Sequence, residues 1–121
     1  MKELGYAVVT GASAGIGMFL AEGLAQRGYP LVLAARREER LKQLAERLKL
    51  QYNVECQVVA CDVSRIEECQ RLMSVIETLE VEIFINNAGF GDCSPFIKGD
   101  LQIRLPLKYV MYLICIQYWG Y

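Results

Sequence analysis

Two rhythms of apolar residues run through the first ninety positions of the chain. Tyr6-Ala7-Val8-Val9-Thr10 and Leu31-Val32-Leu33-Ala34-Ala35 are uninterrupted apolar runs, the pattern of strands covered on both faces. Val54 to Cys61 and Val81 to Ile85 read as two further strands, the last ending at Asn86-Asn87-Ala88-Gly89. Between the strands the period lengthens. A helical pattern runs from about Gly15 to Arg27 and is closed by Gly28 and Pro30. Leu41, Leu44, Ala45 and Leu48 recur at helical spacing, with Glu38 one turn ahead of Lys42. Ile66, Cys69, Leu72, Met73, Ile76 and Leu79 form the stripe of a third helix, opened by a Ser64–Glu67 capping box. Such alternation predicts an α/β fold built on a parallel sheet with right-handed crossovers.

The rhythm breaks at about residue 100. Phe90 to Asp100 has the composition of a loop, with two glycines and Pro95. From Leu101 onward 15 of 21 residues are hydrophobic, and only Arg104 and Lys108 carry charge. No helical stripe with a polar face passes through Tyr109 to Trp119. The expected division is a unit over residues 1–100 and an atypical apolar tail over 101–121, of the kind a shift of reading frame generates.

Composition narrows the chemistry. With 54% hydrophobic and 22% charged residues in 121 positions, the chain is expected to fold as one domain with a single core. A net charge of −1 gives no basic field for nucleic acid or an anionic membrane. The apolar core of the tail, Tyr109 to Ile116, is far shorter than the ~20 residues of a membrane span. The start, MKELGYAVVTG, lacks the apolar stretch of a signal peptide. Five cysteines at irregular spacing and no histidine fit reduced cytoplasmic thiols better than disulfides or a zinc site. The absence of histidine also removes every Ser-His and Cys-His nucleophile.

Candidate chemistry centres on Thr10-Gly11-Ala12-Ser13-Ala14-Gly15-Ile16-Gly17, between the first strand and the first helix. Glycines there permit a tight turn and close backbone approach, and a helix N-terminus attracts a pyrophosphate. The spacing departs from the G-x-G-x-x-G dinucleotide fingerprint, and a ligand-free turn has the same glycines. A side chain that reads ribose is expected about 20 residues on, after the second strand. Arg36 stands 19 residues after Gly17 and is followed by Arg37. A guanidinium at that place suits a 2′-phosphate, whereas an acid would suit free ribose hydroxyls. The alternative is a pair of solvated residues opening the second helix, where their charge opposes the helix dipole.

T-G-A-S-A-G-I-G, A-R-R-E-E-R-L, C-D-V-S and N-N-A-G occur in this order, the last about seventy residues after the first. In these motifs the chain resembles the short-chain dehydrogenase/reductase family over about residues 5 to 98. The resemblance implies a partial Rossmann fold: a doubly wound parallel sheet of about four strands in order 3-2-1-4, with three helices. It implies an NAD(P)(H) cofactor, and the guanidinium of Arg36 favours NADP over NAD. The family pattern would set the pyrophosphate on Gly11, Ser13, Ile16 and Gly17, and the 2′-phosphate on Arg36 with support from Arg37. Asp62 and Val63 would line the adenine, and Asn87, Ala88 and Gly89 would pass beside the adenosine ribose. Asp62 has a second candidate role, turning the chain before Ser64, and Asn86 is expected to be a structural hydrogen-bonder.

The family's oxidoreductases move hydride between a nicotinamide and a carbonyl or alcohol carbon while a tyrosine relays the proton. A lysine four residues after that tyrosine lowers its pKa, and a serine orients the substrate oxygen. Thr10, Leu33, Cys56, Leu113 and Ile116 stand four residues after Tyr6, Tyr29, Tyr52, Tyr109 and Tyr112. Lys108 precedes Tyr112 rather than following it, and Ser94 is the only serine after N-N-A-G. The resemblance therefore assigns no catalytic residue to this chain. Its members usually run to about twice this length, so a truncated NADP-binding part inactive alone is expected, with a non-catalytic nucleotide-binding module or a nonfunctional fragment as the alternatives. Without an outer neighbour, the strand at Glu82–Asn87 would be a bare edge open to self-association. The β-prone tail could add to that edge within one chain, pair between chains, or aggregate.

Overall fold

The computed structural model of the protein describes residues 4–88 and 108–114. Strands β1 (Tyr6–Thr10), β2 (Leu31–Ala35), β3 (Cys56–Ala60) and β4 (Val81–Ala88) alternate with helices α1 (Gly15–Gln26), α2 (Glu38–Tyr52) and α3 (Ile66–Ile76). A fifth strand, β5 (Tyr109–Ile114), follows. All pairings are parallel, and the sheet order is β3-β2-β1-β4-β5. The expected partial Rossmann order 3-2-1-4 is thus present, with one strand more than the four anticipated.

The apolar runs are continuous because helices cover both faces of the sheet. Ala7, Val9, Leu31 and Leu33 pack with Ala21 and Ala25 of α1 and with Leu41, Leu44, Ala45 and Leu48 of α2. The alternate positions Val8, Val32, Ala34 and Phe84 pack with Cys69, Leu72, Met73 and Ile76 of α3. On the first face Glu22 bridges the two helices: its carboxylate lies 3.3 Å from Arg47 and accepts the Tyr52 hydroxyl at 3.1 Å.

Helix boundaries follow local chemistry. Past the C-terminus of α1, Tyr29 N–H donates to Leu24 C=O at 3.1 Å and Gly28 N–H to Ala25 C=O at 2.9 Å. This paired closure needs a left-handed residue, and Gly28 supplies it at φ 92°. Asn53, at φ 56°, ends α2 in the same conformation. The expected Ser64–Glu67 capping box does not form. Arg65 occupies the N-cap position of α3 without a side-chain cap, because the Ser64 hydroxyl is turned to Asp62 instead. Ile66, placed on the buried stripe by its spacing, is 39% exposed at the helix entry, and Leu79 lies beyond the helix.

Of the arrangements open to the β4 edge, addition of the tail within one chain is the one present. Ile83 through Ala88 of β4 pair in parallel register with Tyr109 through Ile114, so the tail joins the sheet within the same chain. Lys108 Nζ lies 3.9 Å from Glu82 Oε1 where this pairing begins. The loop expected over Phe90 to Asp100 and the rest of the tail lie outside the described residues. Among the described residues no helix is long and apolar enough to cross a membrane.

Candidate functional site

Because the strands are parallel, their C-terminal ends share one edge of the sheet. Thr10–Gly11, Ala35–Arg36, Ala60–Asp62 and Asn86–Ala88 leave it side by side. The strand order reverses between β1 and β4, with β2 and β3 on one side and β5 on the other. Such a switch point opens a crevice at the carboxyl ends, where ligands of doubly wound sheets bind.

The glycine turn sits at that crevice. Gly11 has φ 64°, and a Cβ there would stand 2.5 Å from the Asn87 carbonyl oxygen and 2.9 Å from its Nδ2. A Cβ on Gly17 would overlap the Gly11 carbonyl and lie 2.7 Å from Asn87 Nδ2. Asn87 therefore clamps the turn, its amide donating to Gly11 C=O at 3.3 Å. Asn86, fully buried, accepts the Thr10 hydroxyl at 2.8 Å, the structural role expected of it. Asn87 Oδ1 is buried without a hydrogen-bond partner among the described residues. Ala14, the N-cap residue of α1, offers no side-chain acceptor, and no acid lies in the first turn. These features suit a phosphate group: the helix dipole is uncompensated, and backbone can approach closely where no Cβ fits.

The second half of the crevice is formed by the ends of β2 and β3. Cys61 N–H donates to Ala35 C=O at 2.8 Å, which carries Asp62 past the strand end next to Arg36. The Asp62 carboxylate accepts the Ser64 hydroxyl at 2.7 Å and the Ser64 N–H at 3.0 Å. Its turn-forming role is thus realised. The Ser64 hydroxyl above all, then the Ser64 N–H and the Arg36 and Arg65 charges, holds the Asp62 pKa below the usual carboxylate value against partial burial. Val63 packs on the α3 core, and its carbonyl accepts the Cys69 thiol at 3.2 Å. Arg36 and Arg37 are exposed at the rim.

The structure thus gathers Gly11, Ser13, Ile16, Gly17 and Asn87 at the turn, and Arg36, Arg37, Asp62 and Val63 at the adjacent strand ends. Ala88 ends β4, and Gly89 lies outside the described residues. Sequence reasoning missed Glu68 and Arg71. Glu68 Oε1 accepts the Asp62 N–H at 3.2 Å, and Arg71 donates to Glu68 at 3.4 Å and to the Ala60 carbonyl. Their signal was faint, an acid and a base at i,i+3 on the first turns of α3. Among the described residues no group of three His, Cys, Asp or Glu side chains could hold a metal ion.

A parallel sheet that reverses order beside a clamped glycine turn defines the chain as a partial Rossmann fold. Residues 5–103 match the family model described as short chain dehydrogenase, and the chain belongs to that family. It is 44% identical over 118 residues to a very-long-chain 3-oxoacyl-CoA reductase of Podospora anserina, covering 95% of this chain and 34% of the relative. Among solved structures, an alcohol dehydrogenase from the archaeon Thermococcus sibiricus, complexed with 5-hydroxy-NADP, superposes with a TM-score of 0.70 at 40% identity. That match covers 74% of this chain and 39% of the other. L-sorbose reductase from Gluconobacter frateurii, complexed with NADPH and L-sorbose, gives a TM-score of 0.70 at 37% identity over 74% of this chain and 35% of that one. The chain spans about a third or less of the length of the curated relatives it matches.

Proposed function

We propose that this chain carries the NADP(H)-binding part of a short-chain oxidoreductase that moves hydride between the nicotinamide and a carbonyl or alcohol substrate. The observation that carries the proposal is Arg36 beside Asp62, one strand away from the clamped Gly11–Gly17 turn. Gly11, Ser13, Ile16 and Gly17 would hold the pyrophosphate against the N-terminus of α1. Arg36, with Arg37, would bind the 2′-phosphate, and Asp62 and Val63 would line the adenine. Asn87, Ala88 and Gly89 would border the adenosine ribose. When bound, the dinucleotide supplies hydride, and this chain's residues orient its adenosine and pyrophosphate. The neighbours complexed with 5-hydroxy-NADP and NADPH support the choice of NADP over NAD.

Binding is expected to outrun chemistry in this polypeptide. No tyrosine in the 121 residues is followed four positions on by lysine. The test is a fluorescence titration with NADPH and with NADH. Tighter binding of NADPH, reduced by about tenfold or more in Arg36→Ala with NADH affinity little changed, is the expected result. Equal affinity for the two dinucleotides would sink the assignment of Arg36.

We read the boundary near residue 100 as a change of composition across a shared sheet. In support, β5 pairs with β4, and an alignment covering 95% of the chain must run past Asp100. Sequencing the coding DNA beyond Asp100 tests this. A shifted frame that restores serine and Tyr-x-x-x-Lys would make the tail out of frame instead. A cytoplasmic setting is supported by the buried free thiols of Cys56, Cys61 and Cys69. Self-association, if present, is assigned to the outer edge of β5, which no strand pairs among the described residues.

A further inference from the structure

Glu68 and Arg71 have no part in the contacts assigned above, yet both reach back from α3 to the segment that would line the adenine. The connector from Cys61 to Arg65 leaves β3 and enters α3 within five residues. Its polar groups are held from within and from α3, where the Cys69 thiol also meets the Val63 carbonyl. Arg71 donates to the Ala60 carbonyl just before it, and also to Glu68 at 3.4 Å. Glu68 Oε1 accepts the Asp62 N–H at 3.2 Å. The Asp62 carboxylate accepts both donors of Ser64. The Glu68–Asp62 contact therefore fixes the peptide plane from which the Asp62 side chain projects. Exposed i,i+3 ion pairs such as Glu68–Arg71 contribute little to global stability. A contact that orients a binding-site peptide at small cost to the fold is the signature of positioning.

We propose that Glu68 is a positioning residue for the adenosine end of the dinucleotide, holding the Asp62 backbone, with Arg71 holding Glu68. This rests on the cofactor-binding role proposed for Asp62 and Arg36. Asp62 and Arg36 touch the ligand in that scheme; Glu68 and Arg71 do not.

The experiment compares the 121-residue chain with Glu68→Ala, Glu68→Gln and Arg71→Ala by titration with NADPH and with 2′,5′-ADP. Thermal melts and the Asp62 amide resonance are recorded alongside. Glu68→Ala is expected to weaken both ligands by about tenfold, the scale of one charge-assisted hydrogen bond. Its melting temperature should stay within about 2 °C of wild type, while the Asp62 amide resonance moves upfield as its hydrogen bond is lost. Glu68→Gln keeps a carbonyl acceptor and should recover most of the affinity, and Arg71→Ala should fall between. Wild-type binding that Glu68→Ala leaves unchanged overturns the positioning role alone. Weakened binding that tracks a lower melting temperature and is not recovered by Gln overturns it too, in favour of a structural role. Failure of the wild-type chain to bind either ligand overturns the cofactor role, and the positioning role with it.

Discussion

Gly17 has no space for even a methyl group, because the Gly11 carbonyl and the Asn87 amide occupy it. Gly17→Ala should therefore push α1 off the β1–β4 crevice, costing about 1–3 kcal/mol in urea unfolding, the usual scale of overpacking. It should also abolish NADPH binding in the same titration, since the phosphate turn would move with the helix. Unchanged stability would mean that the turn relaxes without loss. Glycine spacing alone indicated a tight turn but not its clamp. Asn87 is 70 residues from Gly17, and only the pairing of β1 with β4 brings them together. Asp62 had two candidate roles in the sequence because each depends on structure that residue spacing does not fix. Whether its carboxylate turned the chain depended on the Ser64 rotamer, and whether it neighboured Arg36 depended on β2–β3 register.

At the level of elements, the period of apolar residues located β1, α1, β2, α2 and β4 well, because each buries its apolar positions against a neighbour. Boundaries were less legible where polar side chains compete. Ser64 and Glu67 had the spacing of a capping box, but Asp62, only two residues away, captures the Ser64 hydroxyl. Strand β5 was the least legible element. Its uncharged run suits a strand, yet what makes it one is a partner about 25 residues upstream, a nonlocal fact that no local pattern contains. The closure of α1 offers a cleaner test of local chemistry. Gly28→Ala keeps the hydrogen bonds but forces a Cβ into left-handed backbone, and should cost about 1–2 kcal/mol in the same unfolding assay. A loss confined to a few tenths would show that the chain past Gln26 adopts another closure.

For the whole molecule, titration sets limits on both sides of neutrality. Asp62 and Glu68 have folded pKa values held down, chiefly by the Ser64 hydroxyl and the Asp62 N–H respectively. Their stabilisation is present above the unfolded carboxylate pKa and is lost as the pH falls through the folded values. Burial pushes the Cys61 thiol up to about 11 and the Cys69 thiol up to about 12. Unfolded thiols ionise near pH ~8.5, so their contribution is complete below that and fades as the pH rises toward the folded values. Melting temperatures should be flat around neutrality and fall below about pH 4 and above about pH 9, and Cys69→Ala should soften the alkaline fall. An alkaline limb unaffected by both Cys61→Ala and Cys69→Ala would refute the thiol assignment. The Asn87–Gly11 clamp also has a consequence in time. Its two halves are 76 residues apart in the chain. At a synthesis rate of about 5–20 residues per second, the glycine turn leaves the ribosome on the order of ten seconds before the asparagine that holds it. During that interval β1 can pair with β2 through the short α1 crossover, but its other edge waits for β4. The glycine-rich turn, early in the sequence, is thus among the later parts of the molecule to acquire its final shape.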